Sequence, residues 1–589
     1  MALPVNEPAG GNAVRTIVTR PVAEQDLQQL SAIEHPVLRR VFAGRRIHSE
    51  RELDTGLDGL HRPDELLGID AAAKLLAEAL QQQQRILVVG DFDADGATSS
   101  ALMVAALRAF GAVSVDYLVP NRFEYGYGLT PEIVAVAAQR SPQLIVTVDN
   151  GISSHEGVAA ANALGIPVLV TDHHLPGETL PEAAAIVNPN QPGDGFPSKA
   201  LAGVGVAFYV MMALRAHLET LGWFAANGID RPNLAGFLDL VALGTVADLV
   251  PLDRNNRILV QQGLQRIRAG RCRPGIRALL EVAGRNPARA VAADFGFAAG
   301  PRLNAAGRLD DMSHGIECLL CDDPGRARQL AQQLDALNRE RRDIEADMKQ
   351  QALQAVAELH LREDRLPTGL CLYDDSWHQG VIGILASRIK DRYHRPVIAF
   401  ARAGDNALKG SARSIPGLHI RDTLDAIAAR HPQLLHKFGG HAMAAGLSLA
   451  ENDLPAFTAA FQQELDARLD RDALQGVLES DGELGEEDFD LAFSELLRNA
   501  GPWGQGFPEP LFDGLFKVLG YRVVGDKHLK LTLQPAGSRR SVDAIAFNQA
   551  AQAPSSGQRL RIAYRLDSNE FRGMLGVQLV VEHMQPQAG

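Results

Sequence analysis

Residues Arg85–Gly96 read RILVVGDFDADG: a short apolar run, then three aspartates at alternate positions, closed by a glycine. An unbroken apolar run of this length, bounded by a turn signal, is the mark of a strand buried on both faces, as in parallel sheets covered by helices. Two similar runs follow, Gln143–Val148 (QLIVTV) and Pro167–Thr171 (PVLVT), with helical stretches such as Ala97–Phe110 and Thr130–Arg140 between them. Buried strands alternating with helices predict a parallel, doubly wound α/β domain.

Each of these strands ends on an acid. Asp91, Asp93 and Asp95 follow the first, Asp149 (in VDNG, Val148–Gly151) the second, and Asp172–His173–His174 the third; Asp248, in GTVADLVPL (Gly244–Leu252), follows a helical run. Ligands of open α/β sheets bind outside the carboxyl ends of the strands, so these groups are expected to converge. Crowded carboxylates need a cation, because mutual repulsion otherwise forces protonation. Carboxylate oxygens combined with imidazole nitrogens suit Mn²⁺ or Mg²⁺, and the lack of a nearby cysteine disfavours structural zinc. Two ions ~3.5–4 Å apart would stabilise the attacking and leaving oxygens of a phosphoryl displacement. The plainer alternatives are helix caps, for which aspartate is favoured, and a calcium loop. Gly96 falls where an EF-hand wants its glycine, but Leu102 occupies the place of the closing glutamate. Several caps would have to coincide to explain the whole set.

A chain of 589 residues predicts three to four domains. Four cysteines are too few for a disulfide framework and favour a reducing compartment; the pair Cys318 and Cys321 lacks a second CxxC or a histidine pair and reads as two helix-face thiols. Met1–Val22 has no apolar core of the signal-peptide kind, and the longest apolar stretch, Leu201–Leu214, falls short of the ~20 residues of a membrane span, so a cytoplasmic location without membrane attachment is expected. A net charge of −13 argues against a general nucleic-acid coat. Yet Arg254–Arg308 holds eleven arginines, no lysine and only Glu281 and Asp294 as acids, a local charge of +9. Either it is a solvated face or, since the arginine fork suits phosphate oxygens, a strand-binding one.

Composition and periodicity divide the chain into an N-terminal segment (1–80), the α/β domain with the acidic clusters (81–323), one long connecting helix (324–361), a second α/β domain (362–465), and a C-terminal region (466–589). That last region carries strand patterns such as KHLKLTLQ (Lys527–Gln534) and LGVQLVVE (Leu575–Glu582) and reads as a small antiparallel barrel.

The four clusters, taken in order with GPRLNAAGR (Gly300–Arg308), SWHQGVIGI (Ser376–Ile384), KGSARS (Lys409–Ser414) and FGGHAMAAGL (Phe438–Leu447), resemble the DHH phosphoesterase superfamily, specifically its single-strand-specific exonucleases. The likeness spans roughly residues 50 to 585. It implies a DHH domain and a DHH-associated domain flanking a catalytic cleft, with a barrel of the OB type beyond them. It also implies metal-dependent hydrolysis of phosphodiester bonds in single-stranded DNA, in the 5′ to 3′ direction, in recombination and repair. Carried over, Asp93, Asp95, Asp149, His173 and Asp248 are the expected ligands of two Mn²⁺ or Mg²⁺ ions, with Asp149 bridging; Asp91 and His174 stand beside them, and Asp172 holds a histidine by its ring N–H. Many members place a histidine four residues before the position of Asp93; Val89 stands there, so one ion would be weakly held, served by Asp91, or recruited with substrate.

Gln379, Ser411, Arg413 and His441 form the expected 5′-phosphate cradle, at a helix N-terminus. Arg122, Tyr127, Arg302, Asn304 and Arg308 are the expected strand contacts, with Tyr127 as a base platform. Arg522, Lys527, Lys530, Arg539, Arg540 and Arg572 would follow the backbone along the barrel. Implied partners are single-stranded DNA, a single-strand-binding protein and a helicase, with the enzyme itself a monomer. Superfamily members acting on smaller substrates lack the barrel and the basic segment, and a scaffold without catalysis would not keep five ligands.

Overall fold

The computed structural model describes residues 15–120, 125, 127–363, 366–404, 406–435, 437–470, 473–571 and 574–587. The chain forms two compact units, Arg20–Asn338 with Asp481–Gly589, and Met1–Thr19 with Arg339–Ser480.

The larger unit is built on a parallel sheet of β1 (Ile86–Gly90), β2 (Val115–Leu118), β3 (Leu144–Val148), β4 (Val168–Thr171) and β5 (Ala185–Val187), in the order β2-β1-β3-β4-β5. β1, β3 and β4 are buried along their whole length, which is why they read as continuous apolar runs. β1 lies between β2 and β3, so the chain leaves it first to one side and then to the other; the gap between β1 and β3 is the switch point at which open sheets bind ligands. In the ladder Gly90 stands opposite Val148, Val148 opposite Thr171, and Thr171 opposite Val187. The next residue on each strand therefore falls into one row at the sheet edge: Asp91, Asp149, Asp172 and Asn188. Over the sheet lie α1 (Ala94–Ala109), α2 (Gly203–Thr220) and α3 (Leu238–Ala247). α3 is buried over Leu238–Val246 and delivers Asp248, partly buried, at its C-terminal end. A π turn, Phe295–Ala299, leads into α4 (Gly300–Leu309).

The arginine-rich segment departs from the expectation of an open basic face. Arg273 pairs with buried Asp239 (3.2 Å), Arg285 with Asp294 (3.3 Å), Arg289 with Glu495 (2.6 Å) and Arg302 with Asp335 (2.7 Å). Arg257 is buried, donates to the carbonyls of Leu252 and Glu52, and lies over the Phe507 ring. Three of the neutralising acids, Asp239, Asp335 and Glu495, lie outside the segment, so a local charge count does not include them.

The connecting helix is a single element, α5 (Pro324–Glu363), and the division between the units falls within it. The smaller unit holds β6 (Leu370–Tyr373), β7 (Val397–Arg402), β8 (Ala407–Arg413), β9 (Lys437–Gly440) and β10 (Ala444–Ala450), in the order β9-β10-β8-β7-β6. Only β6 and β7 are parallel. Its α6 (Ile382–Tyr393) buries Leu385 and Ile389, and the helix Leu454–Arg468 buries Phe457 and Phe461. In the same unit Arg15–Thr19 pairs in parallel with Gly476–Ser480, a contact between sequence-distant strands.

The C-terminal part of the larger unit is a closed barrel of β11 (Phe512–Val524), β12 (His528–Pro535), β13 (Val542–Ala546), β14 (Arg559–Phe571) and β15 (Met574–Pro586), in the order β11-β12-β13-β15-β14. Leu529, Leu531 and Leu533 point inward, the period-two pattern legible in the sequence. The barrel is not wholly antiparallel, because β13 and β15 close it in parallel. Of its basic residues, Lys530 faces Asp543 (3.3 Å) and Arg540 faces Glu486 (3.7 Å); Arg522, Lys527 and Arg539 are exposed, and Arg572 lies outside the described residues. No helix among the described residues is long and apolar enough to cross a membrane.

Candidate metal centre

The row of acids at the sheet edge is completed from the helices. Asp93 caps α1, its Oδ1 accepting the N–H groups of Asp95 (2.9 Å) and Gly96 (3.0 Å). The cap and the ligand readings of Asp93 are therefore both satisfied by one side chain, since ligand atoms of Asp91, Asp93 and Asp149 lie within 4.8 Å of one another. Asp95, His173 and Asp248 form a second such group, and Asp149, His173 and His174 a third. Asp149 and His173 belong to two groups each. His173 Nε2 stands 3.1 Å from Asp149 Oδ1, 3.4 Å from Asp248 Oδ2 and 4.0 Å from Asp95 Oδ2. Val89, at the place of the histidine common in the superfamily, is buried in the core, and Asp91 stands with Asp93 and Asp149 instead.

Backbone geometry holds this arrangement. Asp149 has a left-handed conformation, φ 61°, which costs a residue with a side chain roughly 1–3 kcal/mol and persists only where its surroundings impose it. The start of α2 presses on it: a Cβ on Gly203 would lie 2.7 Å from Asp149 Oδ1 and 2.8 Å from its Cβ, so only glycine fits. The N–H groups of Gly203 and Val204 donate to the two oxygens of Asp95, at 2.7 and 3.0 Å, placing a carboxylate at the positive end of a helix. Asp172 accepts from the N–H groups of Ile152, His173 and His174, and from His174 Nδ1 at 2.8 Å. It thereby holds the His174 ring. Asn188 and Asn190, which sequence reasoning missed, donate from their amides to the carbonyls of His174 (2.9 Å) and His173 (2.6 Å). They follow β5, three residues long and too short to stand out as a strand.

Burial, and next the charge of Asp93, push Asp95 up to about 7. Burial and the neighbouring carboxylates hold Asp149 and Asp248 well above the ordinary carboxylate range. Asp172 goes the other way: burial alone would raise it, but its bond to His174, the charges of both histidines and the Ile152 N–H together lower it. His174 is lifted to about 9 against its own burial by that bond and by the charges of Asp172, Asp91 and Asp93. Three carboxylates that resist ionising together, beside two imidazoles and with no thiol among them, fit a divalent cation of the Mn²⁺ or Mg²⁺ kind.

The Tyr127 hydroxyl lies 3.2 Å from the Asp149 carbonyl oxygen and 3.1 Å from His174 Nδ1, with its ring half exposed. Arg122 lies outside the described residues. Asn304 is turned to the metal loop, its Oδ1 accepting the N–H of Ala94 (2.8 Å). The expected strand contact of Arg302 is corrected: its guanidinium is buried, bound to Asp335 and to the Ala298 carbonyl (2.7 Å). Arg308 is half-buried at the end of α4.

In the smaller unit, Ser411 and Arg413 on β8 face Gly446 and Ala444 of β10, and His441 sits in the turn between β9 and β10 with its N–H on the Ala444 carbonyl. Arg413 donates to Ser411 Oγ (3.1 Å) and to the Ala412 carbonyl (2.8 Å). The first turn of α6 closes on them, since a Cβ on Gly383 would lie 2.8 Å from Arg413 Nη2 and 3.0 Å from Ser411 Oγ. Gln379 precedes α6 and spends its amide on the Arg402 carbonyl (2.9 Å), so its side chain does not point to this cradle.

A parallel sheet with a carboxylate–histidine centre at its switch point defines a DHH-type protein. The chain matches the DHH family, N-terminal domain, over residues 85–245, the DHHA1 domain over 366–467 and the RecJ OB domain over 480–583. It belongs to the RecJ family: it is 58% identical to the single-stranded-DNA-specific exonuclease RecJ of Dickeya dadantii over 98% of this chain and all of that one. It is 57% identical to that of Escherichia coli, over 94% of this chain and 96% of that one. Among solved structures, RecJ from Thermus thermophilus in complex with Mn²⁺ superposes with a TM-score of 0.77 at 30% identity, covering 98% of this chain and 80% of that one. The same protein with Mg²⁺ gives 0.72 at 29% identity, covering 98% and 79%.

Proposed function

We propose that this chain is a Mn²⁺- or Mg²⁺-dependent exonuclease that hydrolyses phosphodiester bonds of single-stranded DNA from the 5′ end, serving recombination and repair in the cytoplasm. The observation that carries it is the convergence of Asp91, Asp93, Asp95, Asp149, His173, His174 and Asp248 at the switch point of the sheet, in a chain so close to exonucleases named for single-stranded DNA. Asp93, Asp95, Asp149, His173 and Asp248 would hold two ions, with Asp149 the shared ligand and Asp91 standing in where Val89 replaces a histidine. When bound, the ions would offset the charge that develops on the attacking and leaving oxygens and make a water easier to deprotonate at neutral pH.

The protein's own groups do the rest. Asp172 fixes the ring of His174, and Asn188 and Asn190 fix the backbone of the histidine pair. Tyr127 offers a ring for a base next to Asp149. Ser411, Arg413 and His441 would take a 5′ phosphate, which supports the 5′ to 3′ direction through a charge-assisted contact. A single-strand-binding protein and a helicase are the partners this role calls for, with the enzyme acting as a monomer; the domain division 1–80, 81–323, 324–361, 362–465 and 466–589 goes with the same reading. The test is nucleotide release from 5′- and 3′-labelled DNA and RNA strands with Mn²⁺, Mg²⁺ or chelator. Early release of the 5′ label from DNA, abolished by chelator, is expected; early release of the 3′ label alone would refute the direction.

A further inference from the structure

Four large apolar side chains stand exposed on elements that carry or pack against the candidate ligands: Tyr127, Leu175, Leu249 and Phe297. Two adjoin His174. Leu175 follows it in the chain, and Tyr127 meets its ring edge-on, with centroids 5.6 Å apart. The other two belong to elements at the Asp248 end of α3, and nothing so far described uses them. Leu249 follows Asp248 directly, 68% exposed and in left-handed backbone, φ 62°. Phe297, 75% exposed, is the middle residue of the π turn, whose Phe295, Ala298 and Ala299 are buried. That turn packs on the end of α3, the helix that delivers Asp248. A Cβ on Gly296 would lie 3.7 Å from Val246 Cγ1, and one on Gly300 would lie 3.1 Å from Ala247 Cβ.

Single exposed apolar residues are ordinary on a protein surface. These two differ in their backbone, for both a π turn and a left-handed residue bearing a side chain carry a conformational cost and gather at functional sites. Leu249 adjoins one carboxylate of the centre in the chain, and Phe297 stands on the turn packed against the helix end that bears that carboxylate. The surroundings say what they can bind. The centre is dense in carboxylates and repels phosphate unless cations are present, whereas a nucleobase has an apolar face that any ring or branched side chain accepts.

We propose that Phe297 and Leu249 form a base-binding shelf on the Asp248 side of the centre, separate from Tyr127 on the His174 side. The shelf takes a base of the strand being cut, by its face and hence with little sequence preference, and so sets the position of the adjoining phosphodiester. This deepens the exonuclease reading and rests on it.

The experiment compares Mn²⁺-dependent release from strands with natural nucleotides and from strands with abasic residues near the 5′ end, for the unaltered protein, Phe297→Ala, Phe297→Trp and Leu249→Ala. The unaltered protein should prefer natural strands by about 5- to 150-fold, the range for one base stacked on an aromatic ring. Phe297→Ala should lose most of that preference, mainly through KM; Phe297→Trp should keep it; Leu249→Ala should lose part. Mn²⁺ titration should give one affinity for all four. An undiminished preference in a folded Phe297→Ala protein overturns the shelf. No release from any strand by the unaltered protein overturns the exonuclease reading beneath it.

Discussion

The functional load on single residues is uneven, and Asp149 carries the most. It is the carboxylate shared between two ligand groups, and its strained backbone is held by the start of α2. Asp149→Asn should therefore lower nuclease activity by more than the about 10- to 100-fold expected for Asp172→Asn, which only misorients a histidine. Equal losses in both, measured on labelled single strands, would remove the bridging role. The raised carboxylates give a second expectation, with its sign fixed. Asp95, Asp149 and Asp248 hold protons in the metal-free fold that the unfolded chain has already released, so they add stability below about pH 4 and lose it as pH rises, for Asp95 through about 7. Metal needs the ionised form, and its binding expels those protons. The rise in Tm on saturation with Mn²⁺ should be larger at pH 8 than at pH 5.5; calorimetry showing the reverse order would contradict this electrostatic account.

Among the elements, α4 bears on the centre without contributing a ligand to it. Gly307 lies so close to the metal loop that a Cβ would come within 1.8 Å of the Phe92 carbonyl oxygen, and Asn304 binds the Ala94 N–H. Because the obstacle is backbone, Gly307→Ala should cost about 1–3 kcal/mol of stability and weaken Mn²⁺ binding. Gly236→Ala, where a Cβ would meet nothing within 4 Å, is the control and should change little in chemical denaturation. The same scale shows what the sequence discloses. β1, β3 and β4 are legible because strands buried on both faces admit only apolar residues, and Asp91, Asp149 and Asp172 are legible because they follow such strands. α3 is buried on almost every side, with Asp239 and Thr245 among its buried residues, and gives no sign of which way Asp248 points. The clamp by Asn188 and Asn190 hangs on a strand of three residues, and the π turn under Phe297 is a hydrogen-bond shift without a composition of its own.

For the whole molecule, the arginine-rich segment sets the expected response to salt. Nine uncompensated charges would give a log–log slope of about −6 for binding to single strands, at ~0.7 per phosphate. With Arg273, Arg289 and Arg302 also matched by acids of the same unit outside the segment, six charges remain and the slope should be no steeper than about −4. Fluorescence anisotropy across a salt series reads it directly, and a slope near −6 would mean that these pairs open for DNA. Charge counted along the sequence misleads here because acids far away in the chain complete the pairs.

The parallel ladder between Arg15–Thr19 and Gly476–Ser480 also bears on how the protein is made. On the ribosome, at about 5–20 residues per second, the partner strand emerges roughly 25–90 s after the first. For that interval the early strand has free N–H and C=O groups, a template for pairing with other chains. The whole of the larger unit's first stretch, and the smaller unit from Arg339 onward, are synthesised in between. Nascent chains arrested before residue 476 should thus be cut by protease near residues 15–19, and chains arrested well past residue 480 should resist. Completion of the smaller unit is in this sense a late event in translation, although its first strand is made before any of the larger unit.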